Sequence, residues 1–77
     1  MKIIDLFCGI GGLSLGFEQA GFEVVSAVDM WADAVKTYNH NRKEKVAQVI
    51  SVEDFNNDVL PSLIKEHKIT GIIGGPP

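Results

Sequence analysis

The 77 residues hold a single cysteine, Cys8, and just two histidines, His40 and His67. A single cysteine excludes an internal disulfide, and two widely separated histidines give no zinc-ligand spacing, so metal chemistry is not expected. No run approaches the roughly twenty apolar residues of a membrane span, and the N-terminus enters a strand-like stretch without a basic-then-apolar signal. The expected location is cytoplasmic, with no membrane partner. Basic charge is also scarce, with seven Lys and Arg against ten Asp and Glu and a formal charge of −3. Non-specific nucleic-acid binding depends on cations that neutralise phosphates, so this chain alone is not expected to grip a nucleic acid. Its one basic cluster, Arg42, Lys43 and Lys45, reads as a solvated cap on a helix end and its loop. What remains is an ordinary globular composition, 45% hydrophobic and 22% charged, which argues against disorder. A chain of this length buries only roughly 60% of its unfolded surface, so the core is thin.

The run from Ile3 to Leu13, IIDLFCGIGGL, passes from β-branched apolar residues through three glycines to the start of an amphipathic helix. Glycines in such a turn permit positive φ and let a ligand lie against bare backbone. The helix behind them offers unpaired N–H groups and a positive dipole end, which favour a phosphate or carboxylate. Ser14 stands where a dinucleotide fingerprint G-x-G-x-x-G would place its third glycine, and Gly16 comes two residues too late, which weakens a nicotinamide reading. About twenty positions on, Asp29 follows a second apolar run and can accept both hydroxyls of a ribose. A glycine turn plus a ribose acid suits any adenosine-bearing ligand.

In chain order, Lys2 to Leu6 reads as a buried parallel strand. A helix from about Gly12 to Ala20 sets Leu13, Gly16, Phe17 and Ala20 on a sheet-packing face, with Gly16 allowing close approach and Gly21 as a left-handed stop. A second strand ends at Asp29. A second helix from Met30 to Tyr38 carries Trp31, Ala34, Val35 and Tyr38 at helical spacing, for which core packing is the plain account. Val46 to Ile50 gives a third strand. A third helix, opened by Asn57 or Asp58 with Pro61 in its first turn, presents Leu60, Leu63, Ile64 and His67. Ile69 to Gly74 is a fourth strand. Alternating strands and helices require a mainly parallel α/β sheet with helices on both faces, and right-handed crossovers give the order 3-2-1-4. Strands one and four are neighbours at the switch point, where ligands bind beyond the strands' carboxyl ends. His40 and His67, near helix ends, and the unpaired Glu18 and Glu53 are weak catalytic candidates. Cys8, beside the glycines, reads as a loop-filling residue, although a helix N-terminus can lower a thiol's pKa.

Asp5-Leu6-Phe7-Cys8-Gly9-Ile10-Gly11-Gly12-Leu13, then Ala20-Gly21-Phe22-Glu23, Asp29, Thr37-Tyr38-Asn39-His40-Asn41 and Gly74-Gly75-Pro76-Pro77 resemble, in order, the opening motifs of DNA cytosine-5 methyltransferases. The resemblance covers the whole chain. It implies a Rossmann-like methyltransferase fold, S-adenosyl-L-methionine as cofactor, cytosine in DNA as acceptor and a place in restriction-modification. On this resemblance the cofactor residues are Phe7, Gly9, Ile10, Gly11, Gly12, Leu13, Asp29, Met30, Ser51, Val52 and Pro77. Met30 matches the residue that packs on adenine, through its polarisable sulfur, with Trp31 as a rival. Ser51 stands where the family has an aspartate facing the adenine amino group. It brings an acceptor without charge, and a simple turn residue is an equal reading.

The family's nucleophilic cysteine follows the proline matching Pro77. Residues 1–77 are therefore expected to form an incomplete cofactor-binding part that is inactive alone: a truncation, one chain of a split enzyme, or a non-catalytic adenosine-ligand module. A related family acts on tRNA, and nothing in the sequence separates the two acceptors. An open fourth-strand edge with Ile72 and Ile73 exposed is expected to recruit another strand and favour self-association.

Overall fold

The computed structural model describes residues 1–75. In chain order it contains β1 (Lys2–Leu6), α1 (Gly12–Gln19), β2 (Glu23–Asp29), α2 (Ala32–His40), β3 (Ala47–Val49), α3 (Val52–Asp54), a π-helical turn (Phe55–Val59), α4 (Leu60–Glu66) and β4 (Ile69–Gly74). The four strands are parallel in the order β3-β2-β1-β4. Right-handed crossovers account for the layering: two successive steps in one direction put α1 and α2 on one face, and the reversal after β3 sends the next helices to the other. β1 lies between two parallel neighbours and is read as a short apolar run, which is how a strand covered on both faces must look.

Each face has its own core. Ile3, Val24, Ala27, Val35, Tyr38 and Ala47 cluster under α1 and α2, with Phe17 and Phe22 in edge-to-face contact beside them. Ile4, Val28 and Phe55 cluster on the opposite face with Val52, Val59, Leu60 and Leu63 packed against them. Consecutive residues thus serve opposite faces, Ile3 with one helix layer and Ile4 with the other. Burial of a side chain the size of Phe55 or Ile4 contributes about 1.5–3 kcal/mol, so these few residues hold a thin domain together. Gly74 is required by the sheet itself: a Cβ there would stand 2.7 Å from the Leu6 carbonyl oxygen.

Several expectations need correction. The third helical segment begins at Val52, because the Ser51 hydroxyl caps it by accepting from the Asp54 N–H at 3.0 Å. Pro61 then falls near the start of α4. Ile64 is exposed and His67 lies just past the helix. On α1, Leu13, Gly16 and Ala20 do not pack on the sheet. They face outward and, with Gly12, Phe17 and Phe22, line an open apolar cleft of about 300 Å³. A Cβ on Gly16 would meet nothing within 4 Å, so close helix approach is not its role. The residue that α1 buries is Ser14. Gly21 does end α1's turn at φ 96°. Trp31 caps α2 and is 66% exposed, so core packing holds for Tyr38 and fails for Trp31. On β4, Ile72 is exposed but Ile73 packs against the first core.

Candidate functional site

Where β1 ends, the chain turns through three left-handed residues: Phe7 at φ 56°, Gly9 at 55° and Gly11 at 102°. For Phe7 that conformation costs on the order of 1–2 kcal/mol, so the surroundings must impose it. They do so with backbone bonds: the Cys8 N–H donates to the Val28 carbonyl at 2.9 Å, and the Gly11 N–H to the Cys8 carbonyl at 3.0 Å. Asp29, at the end of the neighbouring strand, supplies the third restraint. Its Oδ2 accepts from the Gly9 N–H and its Oδ1 from the Trp31 N–H, both at 2.9 Å. The carboxylate ties the glycine turn to the start of α2.

The turn feeds α1, whose cap residue is Gly11. No side chain caps this helix and no acidic residue stands in its first turn, so the protein leaves the positive helix end uncompensated. A Cβ on Gly9 or Gly12 would meet nothing within 4 Å. Open space therefore faces bare backbone, and Phe7, Ile10, Leu13, Met30 and Trp31 are all exposed. Met30 is 68% exposed, as free as Trp31, so burial does not separate the two. The Ile50 N–H donates to the Asp29 carbonyl at 3.1 Å, which brings Ser51 and Val52 to the same rim. Ser51 spends one lone pair on its helix cap, and Val52 leans into the second core. Gly74 pairs with Leu6 at this edge. Pro76 and Pro77 lie outside the described residues.

Sequence reasoning missed what stands behind the turn. Asp5 is fully buried in β1, and its Oδ2 accepts from the Ser14 hydroxyl. The Ser14 oxygen in turn accepts from the Tyr38 hydroxyl at 2.9 Å. Asp5 Oδ1 is buried with no partner among the described residues. Burial pushes the Asp5 carboxyl above its ordinary range, partly offset by the Ser14 bond and the Arg42 charge. Burial likewise raises Tyr38. Cys8 is pushed up to about 12 by burial and by the nearby Asp5 and Asp29 charges, so the helix end does not activate this thiol. The only signals in the sequence were a carboxylate inside an apolar strand and a serine breaking a glycine fingerprint.

The basic cluster also divides. Lys45 caps α2 as expected, donating from Nζ to the Asn39 and Arg42 carbonyls, both at 2.7 Å. Arg42 is not a solvated residue: its side chain is 11% exposed, lies 3.9 Å over the Tyr38 ring and pairs with Glu18 at 2.9 Å. Among the described residues no group of three or more His, Cys, Asp or Glu is placed to hold a metal. No helix among them is long and apolar enough to cross a membrane.

A parallel sheet in the order 3-2-1-4, with a glycine turn and an acidic strand end meeting at its carboxyl edge, defines the Rossmann-like class of α/β cofactor-binding domains. Solved methyltransferases share this arrangement. A prophage-encoded DNA modification methyltransferase of E. coli superposes with a TM-score of 0.87 at 40% identity, over 100% of this chain and 22% of that one. A Spodoptera frugiperda DNMT2 variant superposes at 0.79 with 31% identity, over 99% and 22%. Among curated relatives, the Type II methyltransferase M.HgiDI of Herpetosiphon aurantiacus is 51% identical and M.HindV of Haemophilus influenzae 40% identical, each over 77 residues. The chain spans 24% of the length of each. The family model for C-5 cytosine-specific DNA methylase matches residues 1–77, and the chain belongs to that family.

Proposed function

We propose that this chain is the S-adenosyl-L-methionine-binding part of a DNA cytosine-5 methyltransferase. The observation that supports the reading is the direct bond between the Asp29 carboxylate and the Gly9 amide, since a ribose acceptor and an anion-receptive turn would have to meet at one rim. The backbone of Gly9, Ile10, Gly11, Gly12 and Leu13 would receive the amino-acid end of the cofactor, where an uncapped helix N-terminus favours a carboxylate. Asp29 would hold the ribose. Both its oxygens already accept one N–H, but each keeps a second lone pair for a hydroxyl. Met30 would lie on the adenine face, with Trp31 as the rival, and Ser51 and Val52 would meet the adenine edge. Phe7 would complete the wall, and Pro77, the remaining expected contact, lies outside the described residues.

When bound, the cofactor supplies an electrophilic methyl group. This chain's residues bind and orient it, and Cys8 is no nucleophile, because its thiol is buried and stays protonated at neutral pH. The attack on cytosine C6 that makes C5 reactive belongs to a cysteine elsewhere in the complete enzyme. DNA contact belongs there as well, since a net charge of −3 gives this part little hold on phosphates. Calorimetric titration of S-adenosylmethionine into the chain and into Asp29→Ala tests the reading. Two hydrogen bonds to a charged acceptor are each worth about 1.5–3 kcal/mol, so the substitution should abolish measurable binding. Equal affinity in both proteins would reject the ribose assignment.

A further inference from the structure

We propose that Arg42 is a positioning residue for the glycine turn: from beyond the end of α2 it locks the Gly11–Gly12 peptide, so that the Gly12 N–H faces the ligand. The inference rests on the cofactor reading above. Arg42 Nη2 donates to the Gly11 carbonyl at 3.2 Å, across 31 positions in sequence, and to Glu18 Oε1 at 2.9 Å. The guanidinium carbon also lies 3.9 Å over the Tyr38 ring, whose hydroxyl is held by Ser14. It is thus fixed by a carbonyl, a carboxylate and a ring, and Arg42 Nε is buried behind them.

Why this matters for the turn follows from peptide geometry. A trans peptide is planar, and its C=O and N–H point in opposite directions. Holding the Gly11 oxygen therefore sets the direction of the Gly12 hydrogen, which points out of the helix end. Gly11 needs such a hold, because at φ 102° with no side chain it is free to rotate. One other donor reaches the same oxygen, the Leu15 N–H at 2.9 Å, and that bond is only the first rung of α1. Arg42 adds a restraint from a separate element. The packing leaves no alternative occupant, since a Cβ on Gly11 would collide with Arg42 Nη1 and stand 2.9 Å from Tyr38 Cδ2.

A positioning role differs from a structural one in which half of the ligand feels its loss. The Gly12 amide serves the anionic amino-acid end, whereas adenosine alone reaches only the Asp29 side. The test measures both S-adenosylmethionine and adenosine by quenching of Trp31, the single tryptophan, whose N–H is bonded to Asp29. Arg42→Met should weaken S-adenosylmethionine by about tenfold, the scale of one charge-assisted hydrogen bond, and leave adenosine unchanged. Arg42→Lys keeps the charge but lacks the planar fork that stacks and donates together. It should show the same selective loss and serves where Arg42→Met does not fold. Glu18→Gln, which keeps the Gly11 contact, should leave both ligands unchanged. Equal losses for the two ligands, or none in either Arg42 variant, would overturn the role. Failure of the unaltered chain to bind S-adenosylmethionine would instead overturn the cofactor reading and this inference with it.

Discussion

Ser14→Ala is the most exposing perturbation of this fold, because one hydroxyl serves two buried groups at once. It donates to Asp5 and accepts from Tyr38, and Asp5 already has one oxygen without a partner among the described residues. Alanine leaves the Tyr38 hydroxyl unpaired at a cost of about 1–3 kcal/mol. It also removes the one hydrogen bond to the Asp5 carboxylate found among the described residues, and a hydrogen bond to a charged group is worth about 1.5–3 kcal/mol. Against these stands a total stability of about 0.05–0.15 kcal/mol per residue, so the loss is a large share of what the chain has. Its pH dependence identifies the cause. The folded Asp5 carboxyl is raised above its ordinary value of 3.8, so above that pH the folded state binds more protons than the unfolded one. Its contribution to stability is fully present below 3.8 and is lost as pH rises through the folded pKa, at most about 1.4 kcal/mol per pH unit. The Ser14 bond lowers that pKa, and its removal moves the window's upper limit to higher pH. The deficit of Ser14→Ala should therefore be larger at pH 7 than at pH 4. Urea titrations followed by circular dichroism at both values, in the parent and in an Asp5→Asn background, measure it. A pH-independent deficit, or one the same size with Asn at position 5, would refute the reasoning.

Two further predictions concern groups on either side of the sheet. With its pKa near 12, Cys8 carries on the order of 10⁻⁴ thiolate at pH 8, against about a quarter for a free thiol. Alkylation should be at least about a thousandfold slower in the folded chain than in urea, and equal rates would show an accessible loop. The same shift should cost stability as pH climbs from about 8.5 towards 12, because the unfolded thiol ionises first. On the opposite edge, among the described residues, β4 pairs with β1 alone and exposes Ile72, leaving a row of backbone groups without strand partners there. The 77-residue chain is expected to self-associate with rising concentration in sedimentation experiments, and a monomer at all concentrations would contradict this.

How much of this was legible in the sequence depended on the kind of force. β1 and β4 were read with the bounds the structure has, because both are short apolar runs ended by turn residues or glycines. The order 3-2-1-4 followed from crossover handedness. The start of the third helical segment was missed because Ser51 was weighed as a turn or a ligand contact, while its hydroxyl caps the helix. Periodicity misled on α1. Leu13, Gly16, Phe17 and Ala20 do share a face, but most of it looks outward, and α1 is anchored by Ser14 through polar bonds that a hydrophobic pattern does not register. Arg42 was hidden for the same reason: its partners, Gly11 and Glu18, lie far back in the sequence, and only the folded chain shows a cation stacked on Tyr38. The place of Asp29 was legible because it is local to a strand end beside the glycine turn, and its carboxylate accepts from the Gly9 amide.

These contacts make α2 a brace for a turn it does not belong to. Trp31, at its start, shares the Asp29 carboxylate with Gly9, while Arg42, past its end, holds Gly11. Between them Tyr38 reaches through Ser14 to Asp5, one residue before the end of β1. The two glycines of positive φ in the turn are each restrained by a side chain that α2 or its preceding strand delivers. This division has an energetic reason. Glycine is needed where backbone must face open space, but it loses the most freedom on ordering, so a turn built of glycines has to be held from outside itself. The buried polar chain behind it supplies direction as well as adhesion, since hydrogen bonds fix orientation and apolar contacts do not.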